Sequence, residues 1–259
     1  MMSARSLRSL APYVGLLLIS AGLIAASVQW QAGKVCKGVK VSILPEDQAH
    51  LLTEEEVLHL LDANLLQGMP INRLDLAGLE AELEQHPYVQ QADLFVTDGE
   101  HLKAKLVART PVARVSGTHS PGYYLDSAGY ALPLVFGRSL RCPVVTGAVP
   151  EVSPGVRTPL REENIQNLIP LLNTLAELPF WRAQVAQLHL LENGQVEMQL
   201  QAGDFLIELG APVQLKTKLN VLETFMRQVL ARTGWNAYSR IRLGYDNQVI
   251  AVRTDQSTV

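Results

Sequence analysis

The side chains able to do chemistry are few and scattered. Six histidines (His50, His59, His86, His101, His119 and His189) show neither the i,i+4 spacing that sets two imidazoles on one helix face nor an H-x-H pair. Glu54-Glu55-Glu56 is the one run of acids that invites a metal or acid/base reading. Thr53 stands directly ahead of it, however, and Thr-x-x-Glu is a capping box, in which the Thr hydroxyl accepts from the third helical amide and the Glu carboxylate reaches back. Two thiols, Cys36 and Cys142, can form one disulfide in an exported chain or remain two buried thiols. The chain has no G-x-G-x-x-G, no G-x-x-x-x-G-K-[ST], no H-E-x-x-H and no G-x-S-x-G. The expectation is a non-enzyme with no catalytic residue, no cofactor and no metal. A net charge of -3 with dispersed basic residues gives no expectation of nucleic-acid binding.

The remaining chemistry belongs to the main chain. Ile241, Leu243 and Tyr245 alternate with Arg240, Arg242 and Gly244, Asp246-Asn247 turns, and residues 248–253 form a terminal strand. Val249 and Ala251 point to one face, Ile250 and Val252 to the other. Both faces are apolar, with no proline and no central charge. At a sheet edge such a strand offers bare N–H and C=O groups to an incoming strand. As an internal strand it would be covered on both flanks. The candidate partner-binding residues are Tyr245, Asn247, Val249, Ile250, Ala251, Val252 and Arg253.

These residues need a scaffold. At about 150 residues per domain, 259 residues suggest about two domains, and 47% apolar with 18% charged residues excludes a disordered chain or a coiled coil. In the first unit Val39, Val41 and Ile43 alternate as a strand. A capped helix follows with Val57, Leu58, Leu61 and Leu65 on one stripe, ended by Gln67-Gly68-Met69-Pro70. A second helix from Leu74 or Asp75 sets Leu76, Leu79 and Leu83 inward and leaves Glu80, Glu82 and Glu84 mostly facing water. Two strands then flank Asp98-Gly99, the second alternating Leu102, Ala104, Leu106 and Ala108 with His101, Lys103, Lys105 and Arg109. The order is β-α-α-β-β.

In the second unit, Tyr123-Tyr124-Leu125 and Tyr130-Ala131-Leu132 flank a turn at Asp126 to Gly129. Ile165, Leu168, Ile169, Leu172 and Leu175 mark a helix that Pro170 is expected to kink or split. An antiparallel meander runs through Asn193-Gly194 to Leu209. A long helix is expected from Pro212 to a cap at Gly234, packing Leu215, Leu219, Leu222, Met226 and Val229 on the sheet.

Ahead of both units, Arg5 and Arg8 precede an uncharged run from Ser9 to Gly33, long enough to cross a bilayer. A cleaved signal peptide is the competing reading. The expected arrangement is a cytoplasmic tail over 1–11, a transmembrane helix over 12–31 and the bulk of the chain outside the cytoplasm.

Pro87-Tyr88-Val89 with Ala92, and Arg109-Thr110-Pro111-Val112-Ala113-Arg114-Val115, resemble the end of the POTRA domain in FtsQ/DivIB-type bacterial cell-division proteins. Tyr123 to Leu134, Pro143 to Gly147 and Ile241 to Val252 are similar to later segments of that family. In the last of these, Arg242, Gly244 and Gln248 depart from its usual Asp, Arg and Gly. The resemblance implies an α+β protein: a transmembrane helix, a POTRA domain over 35–115, an antiparallel β domain over 116–254 with a long C-terminal helix and a terminal edge strand, and a polar tail over 255–259. It implies a single-pass inner-membrane scaffold at the division septum. Its implied partners are an FtsB-like protein on the last strand, an FtsL-like protein nearby, and other divisome proteins. A POTRA-bearing envelope assembly or secretion factor acting on unfolded clients is the alternative.

Overall fold

The computed structural model describes residues 19–20, 34–45, 51–117, 121–155, 157–244 and 248–254. The expected tails and, apart from Ile19 and Ser20, the expected membrane span lie outside the described residues. Among the described residues no helix is long and apolar enough to cross a membrane. The chain divides into two compact units between Ala108 and Arg109.

The first unit is a three-stranded sheet under short helices. Strand β1 (Gly38–Leu44) runs parallel to β3 (His101–Ala108), which pairs antiparallel with β2 (Val89–Val96), giving the order β1-β3-β2. Helix α1 (Glu54–Leu60) starts on the expected capping box. The Thr53 hydroxyl accepts from the Glu56 amide at 3.2 Å, and the Thr53 amide donates to the Glu56 carboxylate at 2.8 Å. The helix stops at Leu60, five residues before the end of its apolar stripe at Leu65. Asp62 takes a left-handed conformation (φ 45°), and a separate turn, α2 (Ala63–Leu66), follows. That break rotates the stripe, so Leu66 enters the core while Leu65 is left 70% exposed. Helix α3 (Leu76–Leu83) is capped by the Asp75 carboxylate, which accepts from Gly78 N at 3.0 Å. Val57, Leu61 and Leu83 of the helical layer and Leu94, Leu102 and Leu106 of the sheet are all buried.

The second unit is a nine-stranded sheet in the order β12-β11-β10-β9-β8-β7-β4-β5-β6. Its strands are β4 (Pro111–Val115), β5 (Tyr123–Asp126), β6 (Ala131–Leu132), β7 (Val144–Gly147), β8 (Val185–Leu190), β9 (Val196–Leu200), β10 (Leu206–Gly210), β11 (Tyr238–Leu243) and β12 (Val249–Arg253). Helices α4 (Glu163–Glu177) and α5 (Pro179–Gln184) link β7 to β8, and α6 (Leu215–Phe225) links β10 to β11. Ile165, Leu168 and Leu172 of α4 and Leu219 and Leu222 of α6 share one fully buried core with Val145, Leu188, Met198, Ile207 and Ile241. Each such side chain contributes about 1.5–3 kcal/mol on burial.

Four expectations are corrected. Residues 111–115, assigned from sequence to the end of the first unit, form a strand of the second sheet, paired with β5 and β7. That sheet is mixed rather than antiparallel, since β4–β7, β7–β8 and β10–β11 run parallel. Parallel pairing needs a crossover connection, which the helices supply in the last two cases. Pro170 lies inside an unbroken α4, on its exposed side. It removes one bond, to the carbonyl of the exposed Gln166, while Leu168, Leu171 and Leu172 hold the helix down. Pro212 is not in the first turn of the last helix, which begins at Leu215 after a left-handed Gln214. That helix continues through a wider π turn at Met226–Leu230 to Gly234, where φ is 90°.

Candidate functional site

The terminal strand occupies the end of the large sheet. β12 pairs antiparallel with β11, with Val249 opposite Leu243, Ile250 opposite Arg242, Ala251 opposite Ile241 and Val252 opposite Arg240. Its other flank carries no strand among the described residues. Gly244 N donates to Gln248 O at 2.9 Å, and Thr254 N to Ala237 O at 3.1 Å. Main-chain groups alternate along an antiparallel ladder. Ile250 and Val252 therefore turn theirs toward β11, and Val249, Ala251 and Arg253 turn theirs to the free flank.

The side chains divide the opposite way. Val249 and Ala251 pack against the helix-covered core. Ile250 and Val252 lie on the other face, each 51% exposed. The edge thus combines bare amides and carbonyls with two apolar side chains in water. Arg253 is exposed beyond them. Tyr245 and Asn247 lie outside the described residues.

A feature invisible to the sequence reading braces this edge. Glu208 on β10 accepts hydrogen bonds from both Arg240 and Arg242 on β11. The hydrogen bond from Arg242, joined by that from Arg240, holds the Glu208 carboxyl below its ordinary pKa of 4.5, against the opposing effect of burial. Glu208 stands opposite Arg242 in a parallel register. Its place on the third strand of the β8-β9-β10 meander was legible, but its partners arrive only after the α6 crossover. The two guanidiniums sit on the same face as Ile250 and Val252, their neighbours in register.

Where β12 begins, a cavity of about 470 Å³ opens among Gln195, Glu208, Gly210, Lys218, Arg242 and Gln248. Lys218 is held at its wall: Nζ donates to Leu209 O at 2.8 Å and Ala211 O at 2.7 Å. Burial lowers its pKa.

The remaining reactive side chains do not converge. Cys36 and Cys142 are both free thiols. Burial, offset in part by nearby Arg114, raises the Cys142 pKa to about 11. Among the described residues, no group of three or more His, Cys, Asp and Glu side chains is placed to hold a metal ion. The Glu54–Glu56 run serves the helix start.

The profile of the family described as FtsQ/DivIB, C-terminal related, matches residues 110–252, and that of the POTRA-like domain matches residues 34–107. The chain is similar to the cell division protein FtsQ of Salinibacter ruber (strain DSM 13855 / M31), at 29% identity over 181 residues. That alignment covers 64% of this chain and 65% of the relative.

Proposed function

Since the chain belongs to the FtsQ/DivIB, C-terminal related family and carries a POTRA-like domain ahead of the family region, we propose that it is a non-catalytic, single-span scaffold of the bacterial division machinery. It links early and late septal proteins from the outer side of the inner membrane. The uncharged run from Ser9 to Gly33 supports an anchor. Its partners are small coiled-coil division proteins of the FtsB and FtsL kind, the former adding an extended segment to β12.

The observation that carries this reading is the unpaired flank of β12 at the end of a nine-stranded sheet. A guest strand would pair with the outward groups of Val249, Ala251 and Arg253, and apolar side chains of the guest would cover Ile250 and Val252. The backbone supplies affinity, and the side-chain alternation fixes the register.

The test is an Ala251→Pro substitution in the full-length protein. Proline at an outward-facing edge position deletes one docking amide without removing a β11–β12 bond. Recovery of the FtsB-like partner with the variant should fall sharply, and cells depleted of the wild-type chain and given the variant should filament. Unchanged partner recovery and normal septation would overturn the reading.

A further inference from the structure

The first unit has a sheet edge too, and it is treated in the opposite manner. β2 lies at the end of the order β1-β3-β2. Ala92 stands opposite Leu106 and Leu94 opposite Ala104. Both have buried side chains. Neither amide is left bare: Leu94 N donates to the Glu80 carboxylate at 2.7 Å, and Ala92 N donates to the Glu84 carboxylate at 3.2 Å.

The spacing on both elements makes this fit. Glu80 and Glu84 are four residues apart and therefore stack one above the other on α3 and its C-terminal cap. Ala92 and Leu94 are two residues apart and therefore turn their amides to the same flank of β2. Glu82, off that stripe, is exposed. The expectation that all three glutamates mostly face water is thus corrected for Glu80 and Glu84, which are half-buried against the strand. A carboxylate accepting from an amide N–H makes a bond about twice as strong as a neutral one. An incoming strand would need its own carbonyl oxygens where those carboxylates sit.

We infer that Glu80 and Glu84 form a carboxylate latch that closes the β2 edge of the first unit against strand addition, and that what it holds off is the same edge of a second copy of this chain. Two identical β2 edges can meet across a two-fold axis, each offering Ala92 and Leu94 amides and the half-exposed Phe95. Beyond the register shift between Val89 and Gln91 at the start of β2, the latch stands where other sheets place a proline or edge lysine against such pairing. This inference does not depend on the role of β12.

The test compares the full chain in detergent micelles as wild type, as Glu80→Ala with Glu84→Ala, and as Glu80→Gln with Glu84→Gln. Hydrogen exchange is followed in peptides covering 89–97 at low protein concentration, and self-association by sedimentation as concentration rises. The alanine pair should exchange about ten-fold faster over this segment, as loss of charge-assisted bonds implies, and should form a concentration-dependent dimer. The glutamine pair should keep much of the protection and stay monomeric, exchanging between wild type and the alanine pair, because a carboxamide oxygen still accepts from an amide but without the charge. An alanine pair that stays protected and monomeric overturns the latch, as does a glutamine pair that loses protection. If the alanine pair unfolds the first unit, the glutamine pair decides alone, retained protection upholding the latch and lost protection overturning it.

Discussion

The Arg109 guanidinium donates to Asp126 Oδ2 at 2.9 Å, with both side chains buried and the guanidinium 3.7 Å from the centre of the Tyr130 ring. The second oxygen, Oδ1, accepts from Ala128 N at 2.9 Å and Tyr130 N at 2.8 Å, closing the turn between β5 and β6. In the sequence, Arg109 continues the alternation of His101, Lys103 and Lys105. It is the first residue of the second unit, and its partner lies 17 positions further on. The two residues belong to two of the segments that carry the family resemblance, and the fold brings those segments together.

Asp126→Ala should destabilise the second unit by about 3–5 kcal/mol, because it strands a buried guanidinium and unties the turn. Asp126→Asn, which keeps an acceptor for the turn amides, should cost less. Urea unfolding followed by the fluorescence of Trp181, buried in this unit, measures both. Equal midpoints for the alanine variant and wild type would remove the pair from any structural role.

Gly147→Ala should be among the most damaging substitutions outside the core. Gly147 ends β7 at φ 95°, opposite Leu190 of β8. A Cβ there would collide with the Leu190 carbonyl, which accepts from Ala148 N at 2.7 Å. Strain and displacement together should cost at least about 2–3 kcal/mol, read as a fall in melting temperature. Gly194→Ala is the control: its φ of 76° is also positive, but nothing lies within 4 Å of the added methyl.

Val252→Glu separates folding from docking. Val252 is 51% exposed and stands opposite Arg240. The free protein should change by no more than about 0.5 kcal/mol. In a docked complex the new carboxylate would be desolvated beside a guest strand, so partner affinity should fall about ten-fold or more. Binding and thermal melting measured on the same sample check both halves. Unaltered affinity would argue against strand addition at this edge.

Stability of the second unit should depend on pH through Glu208. Hydrogen bonds from Arg242 and Arg240 hold its pKa below 4.5 in the folded state. The stabilisation is therefore fully present above the unfolded carboxylate pKa and is lost as pH falls through the folded one. The guanidiniums are about half exposed, which keeps the effect below about 1 kcal/mol. The stability gap between wild type and Glu208→Gln should be constant above about pH 5.5 and narrow as pH falls below about 4.5. A gap independent of pH would mean that the carboxylate charge contributes nothing.

Local pattern alone determined much of this protein. The Thr53 capping box, the Asp75 start of α3, the hairpins at Asp98-Gly99 and Asn193-Gly194 and the alternation of β12 depend on neighbours a few residues away, and such neighbours are visible in the sequence. Tertiary structure decided everything that depends on partners far along the chain. It broke α1 at Asp62, moved Pro111–Val115 into the second sheet, and turned Glu80 and Glu84 from water onto β2. It buried Arg109 against Asp126, and set Glu208 between two arginines that follow a helical crossover. Periodicity reports which face of an element is apolar, but not which element stands beside it. Whether Val249–Arg253 is an edge or an interior strand was therefore undecided until the strand order was known, because a free flank is a property of the whole sheet.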